Sequence, residues 1–175
     1  LSPPSCLCKG ASGQGFSRTF LQDAMLIPTL ETLLAAAGRT DGSILKTPLH
    51  RVPLESITRA HGGGQLRTKM ENLQLTWSFK ARGALNAVLC ENATAVVTHS
   101  AGNHVAALAW AAQTRGAKCT VVVPDTAPRV KVEAIRELGA TVVETEHAKR
   151  ADTVATIARE TGATVIHPFD DDNVI

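Results

Sequence analysis

The chain has 175 residues, 44% of them hydrophobic and 19% charged, with a formal net charge of +2. That length allows an ordinary domain with a core of its own. So small a charge, with no block of basic residues, argues against nucleic acid or an anionic membrane as a partner, and no apolar run approaches the roughly 18 residues of a membrane span.

Residues 1–24 carry Lys9 and Arg18, several Ser and Gly, and no acid before Asp23. That bias resembles a transit peptide, which is basic, Ser-rich and poor in acids; a non-native leader explains it equally well. In either case this stretch is expected to be disordered. A transit peptide implies a mitochondrial or plastid destination, and its absence a cytoplasmic one. Cys6, Cys8, Cys90 and Cys119 form no C-x-x-C pair and have no companion histidine spacing. They read as reduced thiols, and neither a metal site nor a disulfide is expected.

The first element in chain order is a short helix over 29–37, capped by Thr29, with Leu30, Leu33 and Leu34 at helical spacing and Gly38 as its stop. Pro48 biases Thr47 toward an extended entry. Residues 57–60 lead into a Gly62–Gly63–Gly64 turn, and 65–71 alternate as a strand. A helix over 79–89 follows, with Ser78 as its N-cap. From residue 93 the pattern becomes regular. Strands are predicted at 94–98, 119–123, 141–144 and 164–166, and helices at 103–114, 129–138 and 149–161. Alternation of this kind implies an α/β fold: a small doubly wound parallel sheet.

Ligands of such sheets sit beyond the carboxyl ends of the strands. Three segments fall there: residues 100–104, 124–126 and 167–169. Between residues 26 and 89 there are one strand and two helices, too few for a sheet of their own. The chain is therefore expected to be a fragment, with an incomplete second domain.

Two segments carry chemistry. Lys80 opens a helix among small and apolar residues, and an amine desolvated in such a pocket can form a Schiff base with a carbonyl. Ser100-Ala101-Gly102-Asn103-His104 opens another helix, whose free N–H groups can hold an anion. Together they suit a pyridoxal phosphate (PLP) enzyme acting on an amino acid. Taken singly, each residue has an ordinary structural reading as well. Lys80 can be an exposed helix lysine, Ser78 a cap, Phe79 packing, Asn103 a helix-start residue and His104 a satisfied turn histidine.

Ser78-Phe79-Lys80-Ala81-Arg82-Gly83-Ala84 and Ser100 to His104 resemble the threonine dehydratase/serine racemase family of PLP enzymes, of fold type II. Four further segments extend the likeness from about residue 26 to 175: Lys46-Thr47-Pro48-Leu49, Lys69 to Gln74, Val122 to Pro128, and His167 to Asp171. The resemblance implies that Lys80 is the Schiff-base lysine and the base for the Cα proton. It places Phe79 and Asn103 at the cofactor, and Ser78, Ser100, Ala101, Gly102, Asn103 and His104 at the substrate. It also implies a division into residues 25–89, the first part of a large PLP-binding domain, 90–162, a small α/β domain, and 163–175, the return to the large domain. Homo-oligomers are expected of the whole protein.

The implied reaction is dehydration of L-threonine or L-serine to a 2-oxo acid and ammonia. Racemases of the family resemble Ser-Ser-Gly-Asn-His, where the second serine reprotonates the opposite face. Ala101 has no proton to give, which ranks dehydration above racemisation. Serine racemase and hydroxyaspartate dehydratase remain as alternatives, as does a non-catalytic fragment or degenerate homologue. A nucleotide-binding α/β module ranks last, because no G-x-G-x-x-G follows any strand. Trp77 departs from the family, which usually has glycine there; a large ring beside the lysine threatens to block the pocket. The family's glycine-rich phosphate loop is expected downstream of Ile175, so the chain as given is expected to be inactive.

Overall fold

The β-branched runs between Ala95 and Val165 pair as short strands, mostly buried at Ala95–His99 and Lys118–Pro124 and half-exposed or exposed at Thr141–Thr145 and Thr164–Val165. The computed structural model describes residues 28–53, 59, 64–100 and 102–174. The leader at 1–24, most of the 57–63 turn, Ala101 and Ile175 lie outside them. Four strands, β3 (Ala95–His99), β4 (Lys118–Pro124), β5 (Thr141–Thr145) and β6 (Thr164–Val165), form a parallel sheet in the order β5-β4-β3-β6. The register pairs Val97 with Thr120 and with Val165, and Val122 with Val143.

Helices cover both faces. Val96, Val121 and Val123 pack with helices α2 (Lys80–Cys90), α3 (Asn103–Arg115) and α4 (Arg129–Glu137). Val97 and Val122, pointing the opposite way by strand alternation, pack with α5 (Arg150–Thr161) through Val154. The doubly wound α/β sheet is therefore present. α3 lies between the sheet and α2, and its Val105, Ala107, Leu108, Ala109, Ala111 and Ala112 are all buried. Alanine suits that place because it allows close approach from two sides without a polar atom.

Element boundaries fall within a residue or two of expectation, with informative exceptions. Thr29 caps α1 (Leu30–Thr40) by accepting from the Thr32 amide at 3.2 Å. The helix nevertheless runs through Gly38, and the left-handed residue beyond it is Gly42, φ 75°. Ser78 does not cap α2: the N-cap is Phe79, already in helical conformation and with no side-chain bond. The strand expected over 65–71 shortens to β2 (Arg67–Lys69), which pairs antiparallel with β1 (Leu49–Arg51) in a separate two-stranded sheet.

Candidate functional site

The strand order places the site. From β3 the chain steps to β4 and β5 on one side, then crosses the sheet to put β6 on the other side of β3. The crevice beyond the carboxyl ends of β3 and β6 is the switch point, where ligands of such sheets bind. His99 ends β3 and His167 follows β6. Their rings meet edge to face with centroids 5.5 Å apart, and the His167 ring meets Phe169 at 4.8 Å. The Asp170 amide donates to His167 Nδ1 at 3.0 Å, which leaves the neutral ring's proton on Nε2.

Lys80, the first residue of α2, reaches the same crevice. Its Nζ donates to the Pro168 carbonyl at 2.6 Å and lies 5.3 Å from the centre of the Phe79 ring. Phe79, Lys80, Gly83 and Phe169 line a cavity of about 580 Å³, closed on its far side by α1 and residues 173–174. Gly83 is required there, since a Cβ would collide with the Val174 carbonyl oxygen. Asn86, one turn further along α2, accepts from Arg39 Nε at 2.8 Å and donates to the Asn173 carbonyl at 2.9 Å.

The second chemical segment lies at the start of α3. Gly102 is its extended N-cap, and the Gly102 amide donates to Ser100 Oγ at 3.4 Å. Gly102 and Asn103 line a smaller cavity of about 220 Å³ with Lys131 of α4, separate from the cavity of Lys80. Ala101 lies outside the described residues. His104 links the two segments. It is 3% exposed, and neither ring nitrogen meets a hydrogen-bond partner. Burial pushes its pKa down to about 4; the nearby Ile166 backbone pulls the other way, and Lys80, His167 and His99 add smaller downward shifts. Burial also lowers His99, helped by His167 and Arg150. His104 is therefore a neutral imidazole at physiological pH.

Residues 124–126, expected at an equivalent strand end, line neither cavity. Trp77 lines neither cavity, and the residue is 79% exposed. Its backbone shows why glycine suits the position: φ is 58°, in the left-handed region. Among the described residues no cluster of His, Cys, Asp and Glu could hold a metal ion, and no helix is long and apolar enough to cross a membrane.

Several buried polar atoms at this end of the molecule lack partners: Thr76 Oγ1, Ser78 Oγ, Thr98 Oγ1 and both His104 nitrogens. An unmatched buried polar group costs on the order of 1–3 kcal/mol and asks for an explanation. Thr76, Ser78, Thr98 and His104 line neither cavity, but the Lys80 amine and the exposed Phe79 and Phe169 rings line the larger one, a set that fits an aromatic carbonyl cofactor.

Comparison with known proteins agrees. The profile of the family described as pyridoxal-phosphate dependent enzyme matches residues 40–175. The chain is 41% identical to the beta-hydroxyaspartate dehydratase of Paracoccus denitrificans, over 86% of this chain and 49% of that protein. It is 42% identical to the serine racemase of Dictyostelium discoideum, over 87% of this chain and 48% of that one. The crystal structure of the T.th. threonine deaminase superposes with a TM-score of 0.73 at 39% identity, covering 84% of this chain and 47% of that one. The chain thus spans about half the length of the curated relatives it matches. On the matched profile, the relatives and the fold, the chain belongs to the family of pyridoxal-phosphate dependent enzymes, with the fold of its type II members.

Proposed function

We propose that the intact protein converts a β-hydroxy-α-amino acid, L-threonine or L-serine, into a 2-oxo acid and ammonia. The observation that carries this reading is the Lys80 amine standing at the switch point, between Phe79 and the Pro168 carbonyl. Pyridoxal phosphate, when bound, supplies the electron sink that protein side chains lack. Lys80 holds the cofactor and takes the Cα proton at Nζ. Phe79 packs beside the ring, and Asn103 orients it. Ser78, Ser100, Ala101, Gly102, Asn103 and His104 form the substrate side, where the start of α3 offers backbone N–H groups to the carboxylate.

The methyl group of Ala101 supplies no proton to the opposite face, so the hydroxyl leaves from Cβ as water instead of Cα being reprotonated. Hydrolysis of the dehydrated product releases ammonia. A second reading, with β-hydroxyaspartate as substrate, is favoured by the 41% identity to the Paracoccus enzyme. Residues 25–89 belong in this proposal to a larger cofactor domain, and the intact protein forms homo-oligomers.

Borohydride reduction of the intact protein with pyridoxal phosphate, followed by peptide mapping, tests the site. The expected result is one labelled lysine, Lys80, and Lys80→Ala is expected to lower kcat by roughly 10³-fold or more. Label on another lysine overturns the reading. Assays with threonine, serine and β-hydroxyaspartate in parallel rank the substrates, and chiral analysis of recovered serine detects racemisation.

A further inference from the structure

The loop that carries Lys80 is closed at its base by an ion pair. Arg82 of α2 grips Glu71 with two parallel bonds, Nε to Oε2 at 2.9 Å and Nη2 to Oε1 at 2.8 Å. Residues 72–81 run between these two. A third segment is tied in at the same point. The Thr47 hydroxyl donates to Glu71 Oε1 at 2.5 Å, Lys69 Nζ donates to the Thr47 carbonyl at 2.6 Å, and Arg82 Nη2 also reaches the Leu45 carbonyl at 3.3 Å. Gln74, 1% exposed, completes the closure. Its side chain accepts from the Leu45 amide at 2.9 Å and donates to the Leu45 carbonyl at 3.0 Å. The Arg82 bond, foremost, holds the Glu71 carboxyl below its ordinary value against the pull of partial burial, with Thr47 and Lys69 assisting.

The loop inside this closure is not relaxed. Trp77 sits at φ 58°, and Thr76 Oγ1 and Ser78 Oγ are buried without partners. A short segment keeps such features only where its surroundings over-determine it. A planar, bidentate fork is suited to that task, because it fixes direction as well as distance; a lysine ammonium does not.

We propose that the Glu71–Arg82 pair, anchored on Thr47, is a positioning clasp that sets where the Lys80 amine stands at the carboxyl end of the sheet. Neither residue touches the reacting atoms; they act through the geometry of residues 72–81. The inference rests on the reading of Lys80 as the cofactor lysine, and the test separates the two.

The intact protein, freed of cofactor, is acetylated with acetic anhydride, and the rate at each lysine is read by peptide mass mapping. Arg82→Lys and Glu71→Gln are expected to raise the Lys80 rate roughly tenfold, as the amine leaves the Pro168 carbonyl, with exposed Lys118 unchanged within about twofold. In the loaded enzyme kcat is expected to fall roughly tenfold while KM stays within about threefold. A Lys80 rate within about twofold of wild type in both variants overturns the clasp, even if thermal stability drops. A changed labelling rate with unchanged kcat keeps the clasp and overturns the role of Lys80. Should both variants fail to fold, Thr47→Val, which removes one hydroxyl, is expected to raise Lys80 labelling by about twofold to threefold, and no change in that variant overturns the proposal.

Discussion

Between residues 95 and 166 the buried side chains are apolar apart from Thr98 and His104, whereas between residues 28 and 80 every described buried residue is polar: Thr40, Thr47, Gln74 and Ser78. In the sheet region Val97, Leu108, Val121, Val122 and Val123 are shut off from water, and the interior is close-packed over both sheet faces. In the earlier region Leu30, Leu33 and Leu34 of α1 are exposed, and order comes from Gln74, Glu71 and Arg82. Apolar burial is strong and tolerant of direction. Hydrogen bonds add only about 1 kcal/mol each but fix geometry. The lysine lies where the two meet, with its helix built into the apolar core and its loop held by polar contacts.

The largest effect that sharpens this contrast is expected from Leu108→Ala. That side chain is fully buried between α2 and the sheet, and its truncation is expected to cost about 2–5 kcal/mol in urea unfolding. A loss as small as that of an exposed leucine of α1 would contradict an apolar core for this region.

His104, the polar intruder in that core, gives the next effect, and its sign can be worked out. Its folded pKa of about 4 lies below the ordinary 6.5, so stability from keeping it neutral is fully present above 6.5. As pH falls, the unfolded chain takes a proton that the folded one refuses, and about 3 kcal/mol is lost by the time pH reaches about 4. His99, lowered for the same reason, adds with the same sign. His104→Gln is expected to remove its share of the slope. Equal slopes in wild type and variant, measured by denaturant unfolding across that window, would show that the imidazole is not kept neutral by folding.

The smallest effect concerns the polar region. Trp77→Gly relieves a left-handed backbone worth about 1–2 kcal/mol but adds chain entropy to the unfolded state of about 0.5–1 kcal/mol, so a net gain of up to about 1.5 kcal/mol is expected. A net loss would mean that the indole makes a stabilising contact despite its exposure.

Much of the sheet region was legible residue by residue. The alternation of apolar strands with capped helices from residue 94 onward needs only local periodicity, and it located strands β3 to β6 and helices α3 to α5 to within a residue or two. Gly162, a left-handed C-cap, was likewise readable as a stop. The candidate site was legible in part. His167 stands at the switch point as anticipated for a strand end, and Lys80, anticipated only as a helix start, bonds the adjacent Pro168 carbonyl, while Asn103 lines a different cavity from Lys80. The Glu71–Arg82 pair was not visible as a pair, because nothing in spacing alone says that two opposite charges flanking a loop face each other.

The sequence by itself determined the class of fold and the family, since these depend on periodicity and on short motifs whose residues are chain neighbours. The tertiary structure alone decided the crossing of the chain from β5 to β6, the pairing of β1 with β2, the contact of Gly83 with Val174, and the exposure of the α1 leucines. Each of these depends on which distant group fills a given space or satisfies a given donor, and that choice is made only when the whole chain competes for its partners.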